Sequence, residues 1–326
     1  MRRLSQAGFK KDFVRSALLP DWWDKTCEDS PDLLPDVEIR VARFLGLPVS
    51  TIRNPAVELA PPPYAGAQLR RVRDLDRDRL APAIHSAMQI AAAVVRNLRA
   101  TVPSPSIPPA DGLMWRNQIQ HASTAITLDD IVSDLWKRGI PIVAIDVLPA
   151  PSFQGLACVV DGRPVVLLGH KHDEPSRVAF FAAHEIGHIA SGDCTPDHPV
   201  VDEQEEVADD AAMELRADKY ATLVLVGRHT VPTVDGQNAR ALAINAAQLE
   251  RSSGVDAGAV IFAWARITGN YAKASMAVKA LYRGLGARRL LRQHFDRHVD
   301  LDSATESDRA LLRCVSGDPE RDATAR

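Results

Sequence analysis

The chain has 326 residues, 46% hydrophobic and 25% charged, with a net charge of −3. That balance argues against a global pull toward nucleic acid or anionic membrane, and no apolar run approaches the 18 residues of a membrane span. Cys27, Cys158, Cys194 and Cys314 are scattered with no CxxC pair, and the basic start MRRLSQAGFKKDF lacks the apolar stretch of a secretory signal, so reduced thiols in a cytoplasmic setting are expected.

The length allows two domains, or three. Residues 1–60 read as short helices broken by proline. Within them Val41–Ile52 resembles a helix-turn-helix core. Ala42 stands where that motif wants a small residue, Gly46 at its turn and Ile52 at its apolar plug. A second helix starting at Ser50 would be interrupted by Pro55 within two turns. Basic and acidic residues nearly balance through residue 80, so nucleic-acid binding is expected to be weak or absent. The run RRVRDLDRDR after a proline-rich turn reads as a solvated face or connector. Ala81–Ala100 is predicted to be a helix, and TVPSPSIPPADG a linker, with a boundary near 105–112.

The pattern changes in residues 111–230. Thr127–Arg138 is an amphipathic helix with Thr127 as N-cap. Ile140–Val147, Leu156–Val160 and Pro164–Leu168 read as strands, the last two joined by an Asp161-Gly162 hairpin turn. His170 and His172 in the following loop are expected to be solvated. A helix then starts at Asp173-Glu174-Pro175 and stops at Gly192. A loop through Val201 leads to a long helix with acidic first turns that ends at Gly227. Residues 231–326 are predicted to be helical, with breaks near Ser252-Ser253-Gly254 and Gly269-Asn270. The cluster Arg283, Arg288, Arg289, Arg292 and Arg297 reads as a solvated helix face, and the last dozen residues as a disordered tail. The fold class is α+β, helix-rich, with a small sheet in residues 111–230 and helical regions on either side.

Chemistry is concentrated in His184-Glu185-Ile186-Gly187-His188. Two histidines four apart on a helix share a face, about 5–6 Å apart at Cβ, so both imidazoles reach one zinc. The intervening Glu185 sits beside the open side of such a metal, placed to take a proton from an activated water. A catalytic zinc usually needs a third protein ligand. One known pattern puts a glycine three residues after the second histidine and a third histidine six after it. Here those positions are Ser191 and Cys194, so it fails, although a cysteine can itself ligate zinc. The other pattern puts a glutamate on a second helix. Glu214 fits it, with Asp218 one turn on to accept a hydrogen bond from a ligand imidazole. Asp210 competes with Glu214, but its own neighbours at that spacing are Glu206 and Glu214.

The hairpin LACVVDGRPVVLL, then RVAFFAAHEIGH, then ELRADKYA together resemble the ImmA/IrrE family of zinc metallopeptidases over roughly residues 113–227. The resemblance implies a zincin-like catalytic domain with a thermolysin-like zinc site, held by His184, His188 and Glu214 with Glu185 as proton carrier. It also implies a cytoplasmic bacterial endopeptidase that cleaves a repressor-type transcription factor, in a family often linked to stress response. A second oxyanion donor could come from Tyr220, His198 or His229, and the strand around Val165–Leu168 could offer an edge to an extended substrate. Two other readings compete on the sequence alone: a DNA-binding regulator that uses such a domain as a sensor, and a non-catalytic interaction protein. The charge balance of residues 1–80 argues against the first, and the intact Glu185 against the second.

Overall fold

The computed structural model describes residues 1–315 apart from 21, 25, 28–29, 62–67, 70–73, 122–124, 170–171, 196–198, 203–210 and 283–285; of residues 31, 68–69, 74–78, 202, 211 and 266 it describes the backbone alone. His170, His198, Glu206, Asp210, Arg283 and the C-terminal tail therefore lie outside the described residues.

Proline sets the ends of several N-terminal helices. α1 (Arg2–Gln6) and α2 (Lys11–Ala17) precede α3 (Leu34–Leu45), which has Pro35 in its first turn and closes on Gly46 at φ 65°. Pro48 caps α4 (Val49–Arg53), and Asn54 is extended because Pro55 follows it. α4 thus has five residues. Arg3 of α1 takes the Ile52 and Val57 carbonyls at 2.5 and 2.7 Å, which ties α4 down as a packing unit.

β1 (Gln68–Leu69) leads to α5 (Asp74–Arg96), which begins before the predicted Ala81 and ends before Ala100. It ends early because the Asn97 amide takes the Ala93 carbonyl at 2.7 Å, while Leu98 leaves to bridge with Val299. The proline-rich stretch after it is tied down along its length. Arg163 bonds the Pro103 carbonyl, Ser106 N–H bonds Arg138, and Tyr220 bonds Pro109, at 2.9, 2.9 and 3.0 Å.

α6 (Gly112–Ile119) and α7 (Leu128–Lys137) follow, the latter opened by a full capping box between Thr127 and Asp130. The strands β2 (Ile142–Ala144), β3 (Gly155–Val160) and β4 (Arg163–Leu168) come next, then α8 (Pro175–Ser191) and β5 (Val200–Asp202). Val200–Asp202 is a strand rather than loop and helix start, because its β-branched pair finds a partner: Val200, Val201 and Asp202 lie opposite Ala157, Leu156 and Gly155. α9 (Ala211–Val226) ends at Gly227, as expected.

The sheet is small, mixed and ordered β1-β5-β3-β4-β2. β3 and β4 form the predicted antiparallel hairpin, turning at Asp161-Gly162, both at positive φ. β2 runs parallel to β4 and β1 parallel to β5. β4 is therefore paired on both sides, and the substrate edge expected at Val165–Leu168 does not exist. Both faces of the central strands are covered: Leu156, Ala157 and Cys158 are consecutive and have no exposure, as do Val165 to Leu168. That explains why these strands read as continuous apolar runs. α5 and α8 both pack on β3 and β4.

The C-terminal part supplies α10 (Ala239–Ser253), α11 (Ala257–Thr268), α12 (Tyr271–Leu281), α13 (Ala287–His298) and α14 (Glu306–Leu312), with α10 and α11 closing on Gly254 and Gly269 where the breaks were predicted. α10 to α12 enclose their own apolar cluster around Leu242, Ile261 and Val278. Asp256 joins that cluster to the start of α8, accepting from Ser176 at 2.8 Å and Tyr282 at 3.1 Å. Among the described residues no helix is long and apolar enough to cross a membrane.

Candidate metal centre

α8 starts with Pro175 in its first turn and stops at Gly192, which takes the left-handed conformation at φ 74°. Between these ends His184, Glu185 and His188 are buried, each 1% exposed or less. α9 lies along α8 and brings Glu214, 4% exposed, to the same place. Gly187 permits the close approach. A side chain there would start 3.0 Å from the Ala217 Cα and 3.2 Å from the Tyr220 Cβ.

His184, His188 and Glu214 each offer a ligand atom within 4.8 Å of the others, and the three could hold a metal ion. The two Nε2 atoms are 3.1 Å apart. Glu214 Oε2 lies 3.2 Å from His184 Nε2, and Oε1 3.6 Å from His188 Nε2. Ligands at about 2.0–2.1 Å from a tetrahedral ion lie roughly 3.3 Å from each other, so the donor set has the right dimensions.

The outer sides of the imidazoles fix which nitrogen faces inward. Asp218 Oδ1 sits 3.0 Å from His184 Nδ1, and Asp193 Oδ2 3.1 Å from His188 Nδ1. Ionised carboxylates only accept, so each Nδ1 carries the hydrogen and each Nε2 turns a lone pair inward. Two lone pairs and a carboxylate converging over 3.1 to 3.6 Å repel one another unless a cation lies between them. The residues present therefore fit a divalent metal.

Asp218 is where its one-turn spacing from Glu214 put it. Asp193 was missed. Its signal is the helix stop: Gly192 N–H bonds Ile189, Asp193 N–H bonds His188, and this closing turn folds residue 193 back over the last turn of α8. Arg216 of α9 holds the other Asp193 oxygen at 3.0 Å. Burial alone would raise the Asp193 carboxyl, but the bond from His188 and the nearby Arg216 charge bring it below the usual carboxylate range. Asp193→Ala and Asp218→Ala are each expected to weaken metal affinity about 10–100-fold, measured by competition with a chelating dye. Unchanged affinity in both variants would remove the orienting role.

Glu185 is not among the converging ligands. Its carboxylate lies against the backbone of Gly155 at the start of β3, where any Cβ would collide with it. Burial pushes the Cys158 thiol up to about 12, with the Glu185 charge adding to it. The same two causes, in the same order, raise Cys194 further. Cys194 is thus a neutral thiol beside the centre and does not join the ligand group. All four cysteines are free.

Of the other candidates, those described make bonds elsewhere or face solvent. His172 stands 3.7 Å from Glu174. The Tyr220 hydroxyl donates to Pro109, and His229 is exposed in the loop after α9. No protein-family model, curated protein or solved structure matches this chain.

Proposed function

We propose that the protein is a zinc-dependent endopeptidase with a zincin-like catalytic domain, acting on a repressor-type transcription factor, as the resemblance to the ImmA/IrrE family implies. The observation that carries this reading is the buried convergence of His184, His188 and Glu214, with both imidazoles oriented by carboxylates and Glu185 one residue away. Zinc held by these three side chains would supply a Lewis acid for a peptide carbonyl and lower the pKa of a water toward neutrality.

The chain's own residues do the rest. Asp218 and Asp193 hold the imidazoles with Nε2 inward. The Glu185 carboxylate takes a proton from the attacking water as its oxygen bonds to the carbonyl carbon. As the C–N bond breaks, the same carboxyl returns that proton to the leaving nitrogen. Burial of Glu185 keeps its exchange with bulk water from competing with this transfer. The size of Gly155 leaves room for the carboxylate beside β3.

Protein purified without chelator is expected to carry about one zinc per chain. Incubated with a cell lysate whose new N-termini are then labelled, it should cut a repressor-type factor. Chelator should abolish that cleavage and added zinc restore it. Absence of bound metal, or cleavage that survives complete chelation, overturns the reading.

A further inference from the structure

Arg177, Phe181, His184 and His188 follow one another at spacings of four, three and four along α8, so they share one face of that helix. The two histidines are buried, but upstream of them Arg177, Phe180 and Phe181 are half-buried and reach the surface. α11 meets α8 closely at Ser176 and α9 meets it at Gly187, and these half-buried residues lie between the two contacts. The Phe180 ring centre is 6.4 Å from that of His184. The Arg177 guanidinium lies over two rings, Phe181 at 5.9 Å and Phe262 of α11 at 5.4 Å. The rings cover its faces and fix its place, and leave the N–H groups on its edge. Arg177 donates no hydrogen bond among the described residues, and its nitrogens reach solvent. Burial lowers its pKa, and the nearby Glu174 offsets that only in part. Glu174 turns its own carboxylate toward His172, at 3.7 Å. A cation in the first turn of a helix also opposes the helix dipole, so helix stability does not account for Arg177.

A guanidinium edge held in place and open to solvent is a fork for a carboxylate. From Arg177 to His184 the helix rises about 10 Å, and roughly three residues of extended chain cover the same distance. We propose that Arg177 is a specificity-determining residue, which binds an aspartate or glutamate side chain of the protein substrate about three residues from the scissile bond. Phe180 and Phe181 would line the apolar step between that carboxylate and the metal centre. This role rests on the peptidase reading above and names a feature of its substrate.

The test is affinity selection of a random peptide library, blocked at both ends, on immobilised zinc-loaded Glu185→Gln protein, which is expected to bind peptides without cutting them. Blocked ends exclude capture of a free C-terminal carboxylate. The bound fraction should be enriched in Asp or Glu at one position beside apolar residues. A selected peptide should bind at least about tenfold tighter than its Asn or Gln counterpart, read by fluorescence anisotropy. With Arg177→Ala added, that preference should vanish; with Arg177→Lys it should persist in weaker form, since charge returns without the fork. Arg177→Glu should turn the preference toward Lys and Arg. A guanidinium that only packs on Phe181 and Phe262 would instead lower the melting temperature of the variants and leave the peptide preference where it was. A bound fraction with no acidic enrichment, or an acidic preference that survives in Arg177→Glu, overturns the proposal. The selected peptides are then given to the wild-type protein, which should cut them about three residues from the acid. Acid-dependent binding without any cleavage would refute the peptidase reading and leave the carboxylate site standing. Cleavage indifferent to acidic residues would refute the Arg177 role alone.

Discussion

Alanine at position 214 is expected to empty the metal centre. Glu214 reaches both imidazoles, at 3.2 and 3.6 Å, and supplies the only negative charge within the ligand group. Without it a divalent ion would face two neutral imidazoles in a site whose walls are buried, where an uncompensated charge is strongly disfavoured. The loss should exceed the roughly 10–100-fold assigned to the orienting aspartates, because a ligand is removed rather than its support. Asp210→Ala is expected to change little, because Glu214 already supplies the carboxylate. Zinc content and competition affinity, read beside circular dichroism, decide the matter. Wild-type zinc content in Glu214→Ala, or an empty site in Asp210→Ala, would show that the ligand is assigned to the wrong carboxylate.

Glu185→Gln is expected to separate metal from activity. The amide has nearly the volume of the carboxylate and can occupy the same space against Gly155, so fold and zinc should remain. It cannot carry a proton from water to a leaving amine. The loss in kcat should be on the order of 10²–10⁴, the span that a positioned general base contributes. Cleavage of the same factor at a wild-type rate by a zinc-loaded Glu185→Gln protein would refute the proton-carrier role. A variant that also loses its zinc would place Glu185 in holding the metal instead.

The parts of the fold readable in advance were those written in local chemistry. Thr127 with Asp130, Pro175 with Gly192, and the Asp161-Gly162 turn each act over a few residues, and each element was found at those ends. The candidate metal group was legible in part for the same reason: helical spacing puts His184 beside His188 on one helix, and Glu214 beside Asp218 on another. Non-local pairing was not legible. Val200–Asp202 is three residues long and becomes a strand only because β3 lies beside it. The position of β4 inside the sheet depends on β2 and could not be read from its own sequence. α5 stops at Arg96 through Asn97, Asp308 and Val299, two of them more than 200 positions away. Asp193 shows a middle case, since its turn was visible in Gly192 but the return of its side chain onto His188 was not.

The contact at Gly187 bears on which ion the centre accepts. Two of the candidate ligands ride on α8 and one on α9, and the gap between those helices is fixed where Gly187 meets Ala217 with no side chain between them. The spacing of the ligands is thereby a backbone dimension, hard to stretch without parting the helices. Ions that need bonds of 2.3–2.6 Å and six or more oxygens, as calcium does, would have to push α8 and α9 apart to enter. Under the proposed zinc reading, a small tetrahedral ion would enter without that work. Selection by ion radius would then rest on a residue that never touches the ion.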